Sequence, residues 1–123
     1  MNGLLIKDPY VTWILEGKKT WEIRGSSTKV RGRIALIKSK TGHVFGTCEL
    51  VDVKGPLSLE DLRKNAAKLN WKPSEISASG YEKTYAWVLK DARPLETPVP
   101  YTHPSGAVIW VKLPAVVLKK LGV

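Results

Sequence analysis

The sequence has one cysteine, Cys48, and only two histidines, His43 and His103. A single cysteine excludes an internal disulfide and a cysteine-rich metal site, and it fits a reducing compartment. The histidines and carboxylates show no metal-ligand spacing, and no Ser-His-Asp order of a hydrolase triad is recognisable. We therefore expect neither a metal nor a cofactor.

Long apolar runs are also missing. No segment approaches the roughly 20 residues that a helix needs to span a bilayer. The first residues, Met-Asn-Gly-Leu-Leu-Ile-Lys-Asp-Pro, have too short an apolar core for a signal peptide. We expect a cytoplasmic protein with no membrane partner.

Acidic residues are scarce: 11 stand against 20 lysines and arginines, which gives a formal net charge of +9. A polyanion is the simplest partner for this surplus, and a soluble basic protein without a nucleic-acid role is the alternative. Between residues 18 and 40 Glu22 is the only acid, which predicts either a footprint for a phosphate backbone or a charged loop kept soluble. The cations of this region are Lys18, Lys19, Arg24, Lys29, Arg31, Arg33, Lys38 and Lys40.

The length of 123 residues suits one domain, because two halves would each have trouble burying a core. Hydrophobic residues make up 43% and charged residues 25%, a globular balance that argues against wholesale disorder. No repeat or low-complexity segment is visible, so we expect a single domain over residues 1–123.

The first part of the chain has clear periodicity. Leu4-Leu5-Ile6 predicts a strand, and Asp8-Pro9 predicts a helix start with Asp8 as the cap. Apolar residues then repeat at helical spacing up to Gly17, which predicts a left-handed stop. From Thr20 to Arg24 the pattern alternates, as in a strand that places Glu22 and Arg24 on one face.

The rest of the chain predicts mostly strands. Segments 33–38 and 44–53 form a predicted antiparallel hairpin, with Gly46 as a bulge or a point of close approach. Ser58 and Asp61 resemble a capping box for a helix over 58–69. Four prolines make 91–105 an extended, stiff connection. The remaining predicted elements are a helical turn near 74–77, strands over 84–90 and 107–113, and a short helical tail over 115–121.

Five or six mostly antiparallel strands with two or three helices predict an α+β fold. In so small a domain we expect a compact barrel or a strongly curled sheet, because curling also reduces exposed strand edges.

Residues 17–24, Gly-Lys-Lys-Thr-Trp-Glu-Ile-Arg, fit the pattern Gly-x-Lys-x-x-Glu-x-Arg, which resembles the signature of the ASCH domain family of the PUA-like superfamily. Three further blocks follow in the expected order, at 31–37, 85–89 and 106–110. The resemblance implies a small PUA-like β-barrel with helices packed around it. It also implies a polar cleft near the signature for RNA or a nucleoside.

Three residues of the signature are candidates for chemistry. Lys19 could hold a phosphate or, if desolvated, lose its proton and act as a base; a solvated surface lysine is the alternative. Glu22 could be a general acid or base, and Arg24 could grip a phosphate or a base edge. The alternative for both is a mutual ion pair that shapes the pocket.

Other candidates lie outside these three positions. Trp21 and Trp87 are candidates for a pocket wall, whereas Trp13 and Trp110 are assigned to packing. His103 sits in a proline-bound loop that could edge the cleft, and His43 is expected to be solvated in a turn. The candidates for contacts with the RNA backbone or a ligand are Arg31, Arg33, Lys38 and Ser39.

One branch of the family consists of amidohydrolases that hydrolyse acetylated cytidine. The resemblance implies that this branch uses the signature lysine, a threonine and a distant glutamate. Only the lysine carries over, as Lys19, because Glu22 stands at the threonine position. Segment 65–70, where the distant glutamate would fall, has no carboxylate, and Glu60, Asp61 and Glu75 do not match its position.

The leading interpretation is a monomeric RNA-binding protein of the ASCH type, with no protein partner implied, and a candidate RNA-processing hydrolase of the ribonuclease kind. In that case Lys19 and Glu22 would be catalytic. The alternatives are an amidohydrolase of modified nucleosides and a non-catalytic module that binds RNA, a nucleotide or a nucleoside.

Overall fold

Backbone hydrogen bonds join six strands into one curled, half-barrel sheet in the computed structural model, which describes residues 1–122. The strands are β1 (Asn2–Ile6), β2 (Trp21–Arg24), β3 (Gly32–Lys38), β4 (His43–Lys54), β5 (Tyr85–Pro100) and β6 (Trp110–Lys112). Their order across the sheet is β2-β5-β4-β3-β1-β6. Among the strand pairs of the described residues, only β1 and β3 run parallel. The α+β fold class predicted from the sequence is therefore confirmed.

Helices cover the sheet. They are α1 (Tyr10–Leu15), α2 (Leu59–Lys64) and α3 (Ala115–Leu121), and short 3-10 turns lie at Ala66–Leu69 and Pro73–Glu75. None of the described helices is long and apolar enough to cross a membrane.

Strand β3 is buried on both faces, which explains its unbroken apolar run. Ile34 and Leu36 pack with Val11 of α1 in one core cluster. Ala35 and Ile37 point the other way and pack in a second cluster that includes residues of α3. A strand covered on both sides has no solvent-facing positions and hence no polar alternation.

Helix α1 ends as its sequence predicts, but it begins differently. Gly17 has a φ of +78°, the left-handed conformation that terminates a helix. The prediction that Asp8 caps the helix is wrong: Pro9 is the N-cap residue and makes no side-chain cap. The Asp8 carboxylate instead accepts a hydrogen bond from the Thr12 hydroxyl and pairs with Lys38 at 3.4 Å.

The β3–β4 hairpin is confirmed, and Gly46 marks an irregularity in it. The register shifts opposite Gly46 between Leu36 and Ile37. A Cβ at Gly46 would lie 2.4 Å from the Leu15 side chain and 2.6 Å from the Arg93 carbonyl oxygen. Glycine therefore allows α1 and β5 to approach β4 closely.

The prediction of a stiff connection over 91–105 is wrong for its first part, because β5 continues to Pro100. Strand β5 pairs with β4 on both sides of an irregularity, where Lys90 faces Glu49 and Arg93 faces Thr47. Between them Asp91 adopts a positive φ of 52°. The bulge and the prolines fit together, since a bulged strand tolerates residues that cannot donate to every ladder bond.

The predicted helix over 58–69 is divided at Asn65. The Ser58–Asp61 capping box is present, and α2 then ends at Lys64. The Asn65 side chain donates to the Asp61 carbonyl and so competes with the backbone of the last turn. The final strand is also shorter than predicted, covering Trp110–Lys112 rather than 107–113.

Side chains bridge the open side of the half-barrel. Arg24, on edge strand β2, donates through an Nη atom to the Leu5 carbonyl oxygen of β1 at 2.7 Å. Trp87 of β5 stacks on Trp110 of β6, with ring centroids 5.6 Å apart. The two ends of the sheet are thus joined through a guanidinium and an aromatic pair rather than by strand pairing.

Candidate functional site

The signature segment is positioned by the end of α1 and the start of β2. The amides of Lys18 and Lys19 both donate to the Trp13 carbonyl, which turns the chain sharply after Gly17. The Thr20 amide then donates to the Lys68 carbonyl, which fixes the entry to β2 beside the second helical region. The turn directs the Lys19 side chain into the protein.

The Lys19 side chain is buried, with only 5% of it exposed. Its Nζ atom donates to the Trp21 carbonyl oxygen at 2.5 Å and lies 3.8 Å from Oε1 of Glu22. The ring of Tyr10 is 5.6 Å away. Burial lowers the pKa of Lys19, although the nearby Glu22 carboxylate acts in the opposite direction.

Glu22 and Arg24 form a close ion pair on the same strand face, as the alternation in the sequence predicts. Nε of Arg24 donates to Oε2 of Glu22 at 3.1 Å, and an Nη atom donates to the same oxygen at 2.9 Å. The carboxylate therefore lies between two cations, with Oε2 facing Arg24 and Oε1 facing Lys19.

Lys19 and Glu22 lie at one wall of a cleft of about 240 Å³. The rest of the lining is mostly apolar or aromatic and comes from α1, β2, α2, the first 3-10 turn and segment 71–81. We call this the base cleft; its lining residues are Tyr10, Lys19, Glu22, Ile23, Leu62, Leu69, Trp71, Ile76, Ser77, Ala78, Ser79 and Tyr81.

One aromatic wall of the base cleft rests on a glycine. The Tyr81 ring is half exposed and packs on Gly25, where an added Cβ would lie 2.6 Å from the ring. Gly25 follows the signature directly, so the end of the signature sets the position of this wall.

The structure buries the two tryptophans that the sequence suggested as pocket walls. Trp21 packs in a core cluster with Leu62 and Ala66 and is not part of the cleft lining. Trp87 is 1% exposed, and its indole nitrogen donates to the Ser26 carbonyl. The expectation that they form pocket walls is corrected: the two rings are buried in two different core clusters, Trp21 beside α2 and Trp87 beside α1.

Several of the predicted backbone-binding cations are paired with acids that are distant in sequence. Arg33 pairs with Glu49 at 3.2 Å and also with Asp91. Lys38 pairs with Asp8 and lies over the Phe45 ring. Arg31 is different, because its guanidinium donates only to main-chain oxygens in the hydrogen bonds of residues 1–122.

The remaining sequence candidates lie away from the base cleft. Ser39 is half-buried in the turn after β3, where its amide donates to the Ile6 carbonyl. His103 is exposed in the loop before β6: its Nδ1 contacts the Tyr101 hydroxyl at 2.8 Å and its Nε2 donates to the Ala107 carbonyl at 2.9 Å. Neither residue lines the base cleft.

Sequence reasoning missed the aromatic residues of the base cleft, Tyr10, Trp71 and Tyr81. Tyr10 belongs to the apolar repeat of α1, so its spacing in the sequence indicates only packing. Trp71 and Tyr81 lie within segment 70–83, which has three serines and few apolar residues to form a core. Large aromatics in such a polar segment are a signal of a surface site.

No cluster of three or more histidine, cysteine, aspartate or glutamate side chains forms a metal site within residues 1–122. The polar functional groups at the base cleft are an ammonium, a carboxylate and hydroxyls. They can donate and accept hydrogen bonds and hold charge beside an apolar surface.

The curled sheet with helices around it defines the class of the protein: it is a PUA-like domain. The chain belongs to the ASCH domain family, whose pattern matches residues 4–99. This family is generally RNA-binding. Among curated protein sequences, none matches this chain.

Similar solved structures include three crystal structures of the ASCH protein of Zymomonas mobilis. The unmodified protein is 18% identical, with a TM-score of 0.69 over 98% of this chain and 92% of that one. A serine-to-alanine variant is 19% identical, with a TM-score of 0.69 over 98% and 93% of the two chains. A tyrosine-to-phenylalanine variant is also 19% identical, with a TM-score of 0.69 over 98% of this chain and 95% of that one. At this identity the likeness establishes the fold.

Proposed function

We propose that the protein binds single-stranded RNA and takes one base, or a free nucleoside, into the base cleft. The observation that carries this proposal is the combination of an aromatic, apolar lining with the buried Lys19–Glu22–Arg24 chain at one wall. A flat base needs a surface to stack on and polar groups to meet its edge, and the cleft offers both.

The aromatic lining supplies the stacking surface. Tyr81 is 49% exposed, and Trp71 and Tyr10 lie with tilted rings 6.5 Å apart. Stacking on an aromatic side chain contributes about 1–3 kcal/mol per base and tolerates any base, because every base has a π-face. A single-stranded ligand is favoured, since a paired base is not free to enter a cleft.

The polar wall supplies the edge contacts. Nε and one Nη atom of Arg24 donate to Oε2 of Glu22, which leaves Oε1 without a hydrogen bond from Arg24. The Lys19 ammonium uses the Trp21 carbonyl and has further donor capacity. One acceptor beside one donor matches the paired donors and acceptors along the Watson–Crick edge of a base.

The charge of the chain favours a polyanion over a free nucleoside. The net charge is +9, and after Arg33 and Lys38 are assigned to ion pairs the exposed cations Lys29, Arg31 and Lys40 remain between 24 and 40. Each phosphate neutralised by a cation releases counterions, so RNA affinity should fall steeply as salt rises.

Fluorescence anisotropy with a labelled single-stranded RNA of mixed sequence tests this proposal. We expect Tyr81→Ala to weaken binding about fivefold to 150-fold, the equivalent of one lost stacking contact. Val108→Ala, which trims a side chain that is 77% exposed and outside the base cleft, serves as the control. Equal affinities of the two variants would refute a base in the cleft.

A hydrolytic activity is a second candidate, and the burial of Lys19 favours it. Burial lowers the Lys19 pKa, which increases the fraction of neutral amine that can accept a proton. Incubation of the protein with single-stranded RNA, and separately with acetylated cytidine, tests turnover by chromatography. Lys19→Met should abolish product with circular dichroism unchanged; turnover that persists in this variant would exclude a catalytic Lys19.

A further inference from the structure

A second cavity adjoins the base cleft. Its volume is about 210 Å³, and it shares Leu62, Ala78, Ser79 and Tyr81 with the cleft. We call it the second cavity. The residues that line it alone are Pro56, Leu57, Leu59, Glu82, Lys83 and Thr84. The four shared residues thus form the wall between the two cavities, and Tyr81 has the largest side chain among them.

The dividing wall is held in place by hydrogen bonds. The hydroxyls of Ser79 and Thr84 are 2.6 Å apart, and the Tyr81 amide donates to Oγ of Ser79 at 3.2 Å. Thr84 is itself buried, and its carbonyl accepts from the Leu57 amide at 2.8 Å. This network ties the wall to the start of β5 and to the chain before α2.

We infer that the second cavity is a subsite for the nucleotide next to the one in the base cleft, on the same RNA strand. The inference rests on the proposed function. Tyr81 borders both cavities and is half exposed, so its ring can stand between two splayed bases of a single strand.

The chemistry of the second cavity suits a base with a phosphate at its rim. Pro56, Leu57 and Leu59 offer an apolar surface for a base. Lys83 and Glu82 are exposed, have opposite charges and both line the cavity. A phosphate there would be attracted by Lys83 and repelled by Glu82, so substitutions of these neighbours should act in opposite directions.

Calorimetric titration with a ribonucleoside monophosphate, a dinucleotide and a trinucleotide tests the subsite. We expect the dinucleotide to bind about fivefold or more tightly than the mononucleotide, as a second stacked base would give, and the trinucleotide to add less. Lys83→Ala should weaken the binding of the dinucleotide and leave the affinity for the mononucleotide unchanged. Glu82→Gln should strengthen the binding of the dinucleotide.

The control is Lys119→Ala, which removes an exposed charge from α3, outside both cavities. Equal affinity for mononucleotide and dinucleotide overturns the subsite and leaves the base cleft standing. The subsite is also overturned if Lys119→Ala weakens the dinucleotide as much as Lys83→Ala. Absence of binding by all three ligands overturns the proposed function and the subsite together.

Discussion

Arg24 holds a single oxygen of Glu22 with two of its nitrogens, at 3.1 and 2.9 Å. This arrangement leaves the second oxygen of the carboxylate 3.8 Å from Lys19. The same guanidinium donates to the Leu5 carbonyl across the open side of the half-barrel. One arginine therefore holds the carboxylate at the wall of the base cleft and also links β2 to β1 across the open side of the half-barrel.

Arg24→Met should destabilise the protein by about 3–5 kcal/mol, because it leaves the carboxylate of Glu22 and the Leu5 carbonyl without their partner in a largely buried site. Urea unfolding followed by circular dichroism measures this change. The double variant Arg24→Met/Glu22→Gln should lose less stability than the sum of the losses of the two single variants, since the residues act as a pair. Additive losses would show that the pair is not coupled.

Gly46→Ala should cost about 1–3 kcal/mol of stability, because the new methyl group would meet the Arg93 carbonyl at 2.6 Å and the Leu15 side chain at 2.4 Å. Gly25→Ala is the matched control. The new methyl there meets only the Tyr81 ring among its three nearest atoms, and that ring can rotate away. Thermal unfolding should separate the two variants, and equal losses would contradict the close packing at Gly46.

Gly25→Ala should instead weaken RNA binding. The displaced Tyr81 ring borders both the base cleft and the second cavity, so a shift of this ring alters the stacking surface without removing any polar group. We expect an affinity loss smaller than that of Tyr81→Ala in the same anisotropy titration. An affinity equal to that of the unmodified protein would argue against a stacking role for Tyr81.

Asp91 should contribute to stability only above acid pH. Hydrogen bonds from Arg33 and then Arg93 lower the pKa of Asp91 below its usual value of 3.8. Since the folded pKa is the lower one, the contribution is complete above about pH 5 and is lost as pH falls below 3.8 through the folded pKa. Asparagine suits the positive φ of this position.

The difference in unfolding free energy between the unmodified protein and Asp91→Asn measures this contribution. We expect it to be constant from about pH 5 to 7 and to shrink towards pH 3 in urea titrations. A difference that does not change over this range would mean that the ionisation of Asp91 makes no contribution to folding.

Cys48 should be unreactive in the folded protein. It is fully buried, and burial raises its pKa to about 12, whereas the thiolate is the form that reacts. Iodoacetamide at pH 8 should label the protein in denaturant and leave the folded protein unmodified, as mass spectrometry would detect. Rapid labelling without denaturant would indicate frequent opening of the core around β4.

Local signals in the sequence predicted much of the fold. Gly17 requires a left-handed conformation, Ser58 and Asp61 form a two-residue cap, and Gly46 permits a close approach; each depends on a few neighbouring residues. The alternation at 20–24 also predicted that Glu22 and Arg24 share a strand face, and the ion pair found there is one of the alternatives that the sequence left open.

What the sequence did not predict depends on contacts between distant segments. The prolines of the second half of β5 predict a connection rather than a strand, but the pairing of this segment with β4 overrides that local preference. Arg33 is paired with an aspartate 58 residues away, so its charge could not be assigned from its neighbours. The aromatic walls of the base cleft come from α1 and from both ends of segment 70–83, which only the fold brings together.

The central claim is that a base of single-stranded RNA enters the base cleft, and amide chemical shifts during an RNA titration test it most directly. We expect a short single-stranded RNA to move the signals of Trp71, Tyr81 and residues 77–79, with α3 unchanged. If the RNA binds but shifts only the basic loops at 25–31 and 39–42, with the signals of Trp71 and Tyr81 unmoved, the claim is contradicted.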